Sequence, residues 1–165
     1  MSHGQLRATR RREEVVLKDD LNFILGNPPF AGKQLQNASQ KEDLRSVFGE
    51  LQGSGILDYV SGWYLKSAKL IQDSLIKVAF VSTNSISQGE QVSALWNILL
   101  SKYHVIIHFC HQTFKWNNEA KGNAAVHVVI IGFGVIDQPI KLIFEYQDPS
   151  TDPMQVKTDN INPYL

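Results

Sequence analysis

Cysteine is nearly absent: Cys110 is the only one in 165 residues, and it lies inside an apolar run. One thiol allows no intrachain disulfide and suits a reducing, cytoplasmic compartment. Excess charge is absent too, with sixteen Lys and Arg against sixteen Asp and Glu. Nucleic-acid binders that work alone carry a basic surplus, so any DNA or RNA bound here needs additional attraction from elsewhere. No stretch approaches the ~18 consecutive apolar residues of a membrane span. The early basic cluster (Arg7, Arg10, Arg11, Arg12) is followed by no apolar core, which excludes a secretory signal. What remains is 43% hydrophobic and 19% charged, the composition of one soluble domain. At this length roughly 70% of the unfolded surface can be buried without disulfides or metals.

Residues 1–17 read as a flexible basic leader, residues 18–147 as the folded unit and residues 148–165 as a loop-like tail rich in Asp, Pro and Asn. The apolar run Leu21 to Leu25, stopped by Gly26 and the Pro28-Pro29 pair, reads as a buried strand ending in a rigid turn. Leu44, Val47, Phe48 and Leu51 recur with helical spacing and predict a helix over 41–51. Val60, Tyr64, Ala68, Ile71 and Leu75 predict a second over 57–73. Residues 77–81 predict a strand covered on both faces. Ser87 and Glu90 have capping-box spacing ahead of Val92, Leu95, Trp96 and Leu99, which predict a third helix. Residues 105–110, 125–131 and 141–146 read as strands. Strands alternating with helices predict an α/β fold whose sheet has parallel strands at Leu21, Lys77 and Val105 and an antiparallel edge hairpin from the strands at Ala125 and Lys141.

Asn27-Pro28-Pro29-Phe30, at the carboxyl end of the first strand, is where α/β sheets collect ligands. An Asn amide oxygen and the carbonyl preceding a proline both accept hydrogen bonds, and successive prolines hold that backbone stiff and free of competing donors. Two fixed acceptors can grip an amino group. On an aromatic base that nitrogen's lone pair is delocalised into the ring; accepting from both N–H groups favours a pyramidal nitrogen and strengthens towards the transition state of attack. Phe30 can stack on the ring that carries the amine. The same tetrapeptide also fits a strand-ending turn capped by Asn.

Other candidates carry less. Gly132-Phe133-Gly134 reads as a hairpin turn rather than a nucleotide loop, because no helix opens behind it before Pro139. His104, His108, Cys110 and His111 suggest zinc, but on a strand His104 and Cys110 lie about 20 Å apart, too far for one tetrahedral ion. Ser82-Thr83 lacks a Gly-x-Ser-x-Gly elbow. Lys121-Gly122 is a solvated loop that can reach a phosphate.

Residues 25–30 resemble motif IV of the amino-methyltransferases, the (Asn/Asp/Ser)-Pro-Pro-(Tyr/Phe) signature of DNA N6-adenine enzymes. Leu57-Asp58-Tyr59-Val60 through Trp63-Tyr64 resembles the helix that follows, and Val78 to Ser85 the next strand and its loop. Phe114-Lys115-Trp116-Asn117, with Ala120 and the strand from Ala125, resembles motif VIII. From about Lys18 to Tyr146 the chain is most similar to type IIG, MmeI-like restriction-modification enzymes.

The resemblance implies a partial class I, Rossmann-like methyltransferase fold from a prokaryotic, cytoplasmic enzyme. It implies that Asn27 and the Pro28 carbonyl bind the amino group of a flipped adenine and that Phe30 stacks on it. Pro29, Phe114 and, as second choice of aromatic, Trp116 complete the base pocket. S-adenosylmethionine is the implied cofactor and double-stranded DNA the implied partner. The family's Gly-rich cofactor loop precedes motif IV, and only a short polar leader stands there, so the cofactor-binding residues are expected in an N-terminal half that the chain lacks, as it lacks a target-recognition domain. The chain alone is therefore expected to be inactive and, with an uncovered apolar face, to self-associate. The rival readings are a methyltransferase acting on protein glutamine or an RNA base, and a non-catalytic interaction module.

Overall fold

Alternation of side chains across six strands determines where the core lies in the computed structural model, which describes residues 16–51, 53–116, 126–148 and 151–165. The strands are β1 (Phe23–Gly26), β2 (Lys77–Thr83), β3 (Ile106–Trp116), β4 (Val126–Gly134), β5 (Lys141–Glu145) and β6 (Met154–Thr158). They form one mixed sheet in the order β1-β2-β4-β3-β5-β6. β1 pairs parallel with β2 and β3 with β5, while β4 runs antiparallel to both β2 and β3. The strands at Leu21, Lys77 and Val105 thus share a direction.

The antiparallel edge hairpin is made by β5 and β6, not by β4 and β5, because β4 inserts between β2 and β3. The tail is correspondingly not all loop. Lys141 fixes it: its buried Nζ donates to Gln138 O at 3.0 Å and Asp159 O at 2.7 Å, and pairs with Asp137 at 2.8 Å.

Helices α1 (Ala38–Phe48), α2 (Ser61–Leu70) and α3 (Glu90–Ser101) supply the remaining layer. Tyr64, Leu65, Ala68, Trp96 and Leu99 pack against Val78, Phe80, Ile131, Phe133 and Cys110 in one cluster. The two bulky polar aromatics keep their polar atoms paired, Tyr64 Oη with Ser82 Oγ at 2.8 Å and Trp96 Nε1 to Ile86 O at 2.9 Å. Burial pushes the Tyr64 hydroxyl and the Cys110 thiol upward, the latter to about 12. The capping box belongs to α1, where Asn37 accepts from Gln40 N at 2.9 Å and the Gln40 side chain accepts from Asn37 N at 3.0 Å. Ser87 caps nothing, since its hydroxyl donates to Asn84 O and α3 begins behind Gly89.

The opposite face of the sheet has no helix over it among the described residues. Along β2, Val78, Phe80 and Ser82 are buried while Lys77 is exposed and Ala79, Val81 and Thr83 are only half-buried, so this strand is covered on one side rather than both. Phe23 and Leu25 on the edge strand β1 are 62% and 73% exposed. A groove of about 500 Å³ crosses this face between them, Phe109 and Leu142.

Gly132 and Gly134 are strand residues under that face, not a turn. A Cβ at Gly132 would lie 2.0 Å from the Phe109 ring, and one at Gly134 2.7 Å from the His108 ring. The glycines let the β3 side chains lie flat across β4. Gly132→Ala is therefore expected to destabilise the fold by about 1–3 kcal/mol in urea unfolding. In a Phe109→Ala background most of that cost should vanish; an unchanged cost would mean that ring contact is not the cause.

Candidate active site

β1 is short because Pro28 has no N–H to continue a ladder, so the chain leaves the sheet at Asn27. Asn27 and Pro29 are exposed, Pro28 is buried and Phe30 is half-buried. Among the described residues nothing engages the Asn27 amide or the Pro28 carbonyl. Two acceptors with no internal partner stand at the carboxyl end of the strand, beside the end of β2.

The segment after Phe30 is tied down strongly. Ala31 O accepts from Tyr59 N at 2.9 Å and from Gln36 Nε2 at 3.3 Å, and Gln36 Nε2 also reaches Leu57 O at 2.9 Å. Asp58, only 6% exposed, is the hub behind it. Its Oδ1 accepts from Lys33 N at 3.0 Å and Gln91 Nε2 at 3.2 Å; its Oδ2 accepts from Thr83 Oγ1 at 3.1 Å and from Ser85 Oγ. The Asp58 amide donates to Gln91 Oε1 at 2.9 Å. One carboxylate thus joins the post-Phe30 segment, the end of β2 and the start of α3. Ser82 and Thr83 are absorbed in these structural bonds, with Tyr64 and Asp58 as partners.

In the sequence Asp58 stands only within the string Leu57-Asp58-Tyr59-Val60 that resembles the family's helix. Its signal was physical: a carboxylate inside Ile56-Leu57-Asp58-Tyr59-Val60 must find donors or remain in water.

Phe114 and Trp116 lie on β3 rather than in a loop, their rings 6.1 Å apart. Register carries Phe114 across Val128 of β4 to Thr83 of β2, the same end of the sheet as Asn27. The structure thereby places the two groups at one end without contact between them: Phe114 stacks on Tyr146 at 5.1 Å. His111, stacked on Phe144 at 4.2 Å, also bonds Tyr146 Oη at 2.8 Å. Tyr146 and Phe144 were missed as companions of Phe114 because they come from β5 and its end, and the pairing of β5 with β3 is non-local; His111 lies on β3 itself and was read only as a metal-ligand candidate. His108, Cys110 and His111 are each used internally; His108 Nε2 lies 2.8 Å from Ile136 O. Arg7, Arg10, Arg11, Arg12, Asn117, Ala120, Lys121 and Gly122 lie outside the described residues.

The Asn27–Phe30 segment thus leaves a six-stranded mixed sheet at the carboxyl end of β1. Residues 6–145 match the family model described as MmeI, DNA-methyltransferase domain. The chain belongs to that family. A solved structure of the type IIL restriction-modification enzyme MmeI in complex with DNA superposes with a TM-score of 0.86 at 55% identity, covering 90% of this chain and 20% of that one. DNA methyltransferase A of Bacillus subtilis (strain 168) is 46% identical over 144 residues, 87% of this chain and 16% of its own length. The chain thus spans about one-sixth to one-fifth of the length of these two relatives. Like that MmeI structure, it has a mixed α/β sheet, with Asn27-Pro28-Pro29-Phe30 at the carboxyl end of β1.

Proposed function

We propose that this chain forms the target-base side of a DNA N6-adenine methyltransferase. The observation that carries this reading is the pair of unengaged acceptors, the Asn27 amide and the Pro28 carbonyl, on a prolyl backbone at the carboxyl end of β1. An extruded adenine would direct its N6 hydrogens at them and lay its ring against Phe30, with Pro29 bounding the pocket and Phe114 and Trp116 approaching from β3. Accepting both hydrogen bonds localises the nitrogen lone pair, an effect that grows as nitrogen attacks and therefore lowers the barrier rather than merely tightening binding.

S-adenosylmethionine would supply the methyl group. The described residues do not fit its binding loop, since Gly132 and Gly134 lie inside β4 under Phe109 and His108. The donor would be held by a preceding portion of a longer enzyme, packed on the open face beside β1. The test joins this chain to the N-terminal portion of the Bacillus subtilis relative and digests the methylated duplex to nucleosides. N6-Methyladenine is expected, and no product from this chain alone. Methylcytosine, or methylated protein or RNA in place of DNA, would refute the reading.

A further inference from the structure

Immediately behind the Asn27–Phe30 segment lies a second concavity, of about 410 Å³, between the turn at Lys33–Leu35, helix α1 and the turn at Ser54–Ile56. Its charged lining is entirely cationic: Lys33, Lys41 and Arg45, with Gln34, Gln36 and Ser54 between them. In a chain with equal numbers of acids and bases such a one-sign groove is a local departure. Two of the nearby acids are committed elsewhere. Asp43 accepts from Tyr59 Oη at 2.6 Å, and Asp58 is enclosed by its donors. Glu42 meets Arg45 at 3.3 Å, but both side chains are over 70% exposed, so this bond exchanges cheaply for a stronger partner.

We propose that this groove holds the phosphate backbone of duplex DNA next to the extruded base. The inference rests on the DNA-substrate reading above and adds the surface that would position the strand. Lys41 and Arg45 stand one turn apart on α1, about 6 Å along its axis, and point a fork and a point charge into the same groove. Lys33 is only three residues from Phe30, and its backbone is fixed by Asp58. Cations here would set the register of the strand while Asn27 and Phe30 receive the base, the division of labour between phosphate and base contacts. The glutamines add neutral donors for phosphate oxygens.

The test is fluorescence anisotropy of the enzyme assembled from this chain and the donor-binding portion, with a labelled DNA duplex, titrated with salt. The triple variant Lys33→Gln, Lys41→Gln, Arg45→Gln should bind at least about tenfold more weakly at low salt, and the slope of log affinity on log salt should shrink by about two to three, one unit per lost phosphate contact. A control triple of the same charge change, Lys18→Gln, Lys102→Gln, Lys157→Gln, removes exposed cations outside the groove and should keep the wild-type slope. All three substituted groove side chains are solvent-facing, so thermal unfolding should be unchanged and serves as the folding check. Equal loss in the two triples, an unchanged salt slope in the groove triple, or preference of the assembled enzyme for an RNA duplex would overturn the proposal. Groove-dependent binding together with a wrong methylated product would indict the adenine reading and leave the groove standing.

Discussion

Asn27→Ala, introduced into the enzyme assembled from this chain and a donor-binding portion, is expected to lower single-turnover methylation by about two or more powers of ten, which is about 2.7 kcal/mol or more of barrier. DNA affinity should barely change, because the hydrogen bond that is removed matters most in the transition state. The substitution creates no cavity, since Asn27 is exposed and bonded to nothing else among the described residues, so stability should be retained. Phe30→Ala should differ in kind. It removes stacking worth about 1–3 kcal/mol per base, which weakens capture of the flipped adenine, and a mismatch opposite that adenine should partly restore the rate. A rate effect of Asn27→Ala matched by an equal loss of affinity would mean that the amide only binds and does not activate.

The second large effect is on stability. Asp58→Ala removes the acceptor shared by Lys33 N, Gln91, Thr83 and Ser85, leaving several donors unpaired around a residue that is only 6% exposed. A loss of about 3 kcal/mol or more is expected, a large part of the roughly 5–15 kcal/mol that holds a domain together. The melting temperature should fall by roughly 6–12 °C. Asp58→Asn should cost clearly less: its oxygen can still accept from Lys33 N and Gln91, and the Thr83 and Ser85 hydroxyls can rotate to accept from the new amide. Equal losses for the two variants would show that negative charge, rather than acceptor geometry, holds the segment.

The parts of the fold that the sequence revealed are those governed by near neighbours. The run from Leu21 ends where Pro28 must end it, and Val92, Leu95, Trp96 and Leu99 mark the buried stripe of α3 because nothing else in that stretch competes for it. Local rules failed where a distant partner decided. Gly132 and Gly134 carry a turn signal in isolation, yet the need of Phe109 and His108 for room across β4 makes them strand residues. Capping-box spacing occurs at both Asn37 and Ser87, and only the first stands at a helix start, where both bonds of the box form. β6 offers one half-buried apolar residue, Val156, between exposed neighbours, so its identity as a strand comes from pairing with β5. The position of β4 between β2 and β3 is likewise non-local.

Of the site itself, Asn27 to Phe30 was legible because its chemistry is contiguous in the chain. The hub at Asp58 and the ring stack of Phe114 on Tyr146 were not, since each joins segments 25 or more residues apart. The exposure of Phe23 and Leu25 falls where the sequence reading expected an uncovered apolar face, beside the strand at Leu21.

The most direct measurement is the structure of the assembled enzyme on duplex DNA with an unreactive sulfonium analogue of the donor. The account predicts an adenine turned out of the helix, its N6 within about 2.7–3.2 Å of both Asn27 Oδ1 and the Pro28 carbonyl oxygen and its ring against Phe30. A cytosine in that position, or an adenine whose amino group points away from Asn27, would contradict it.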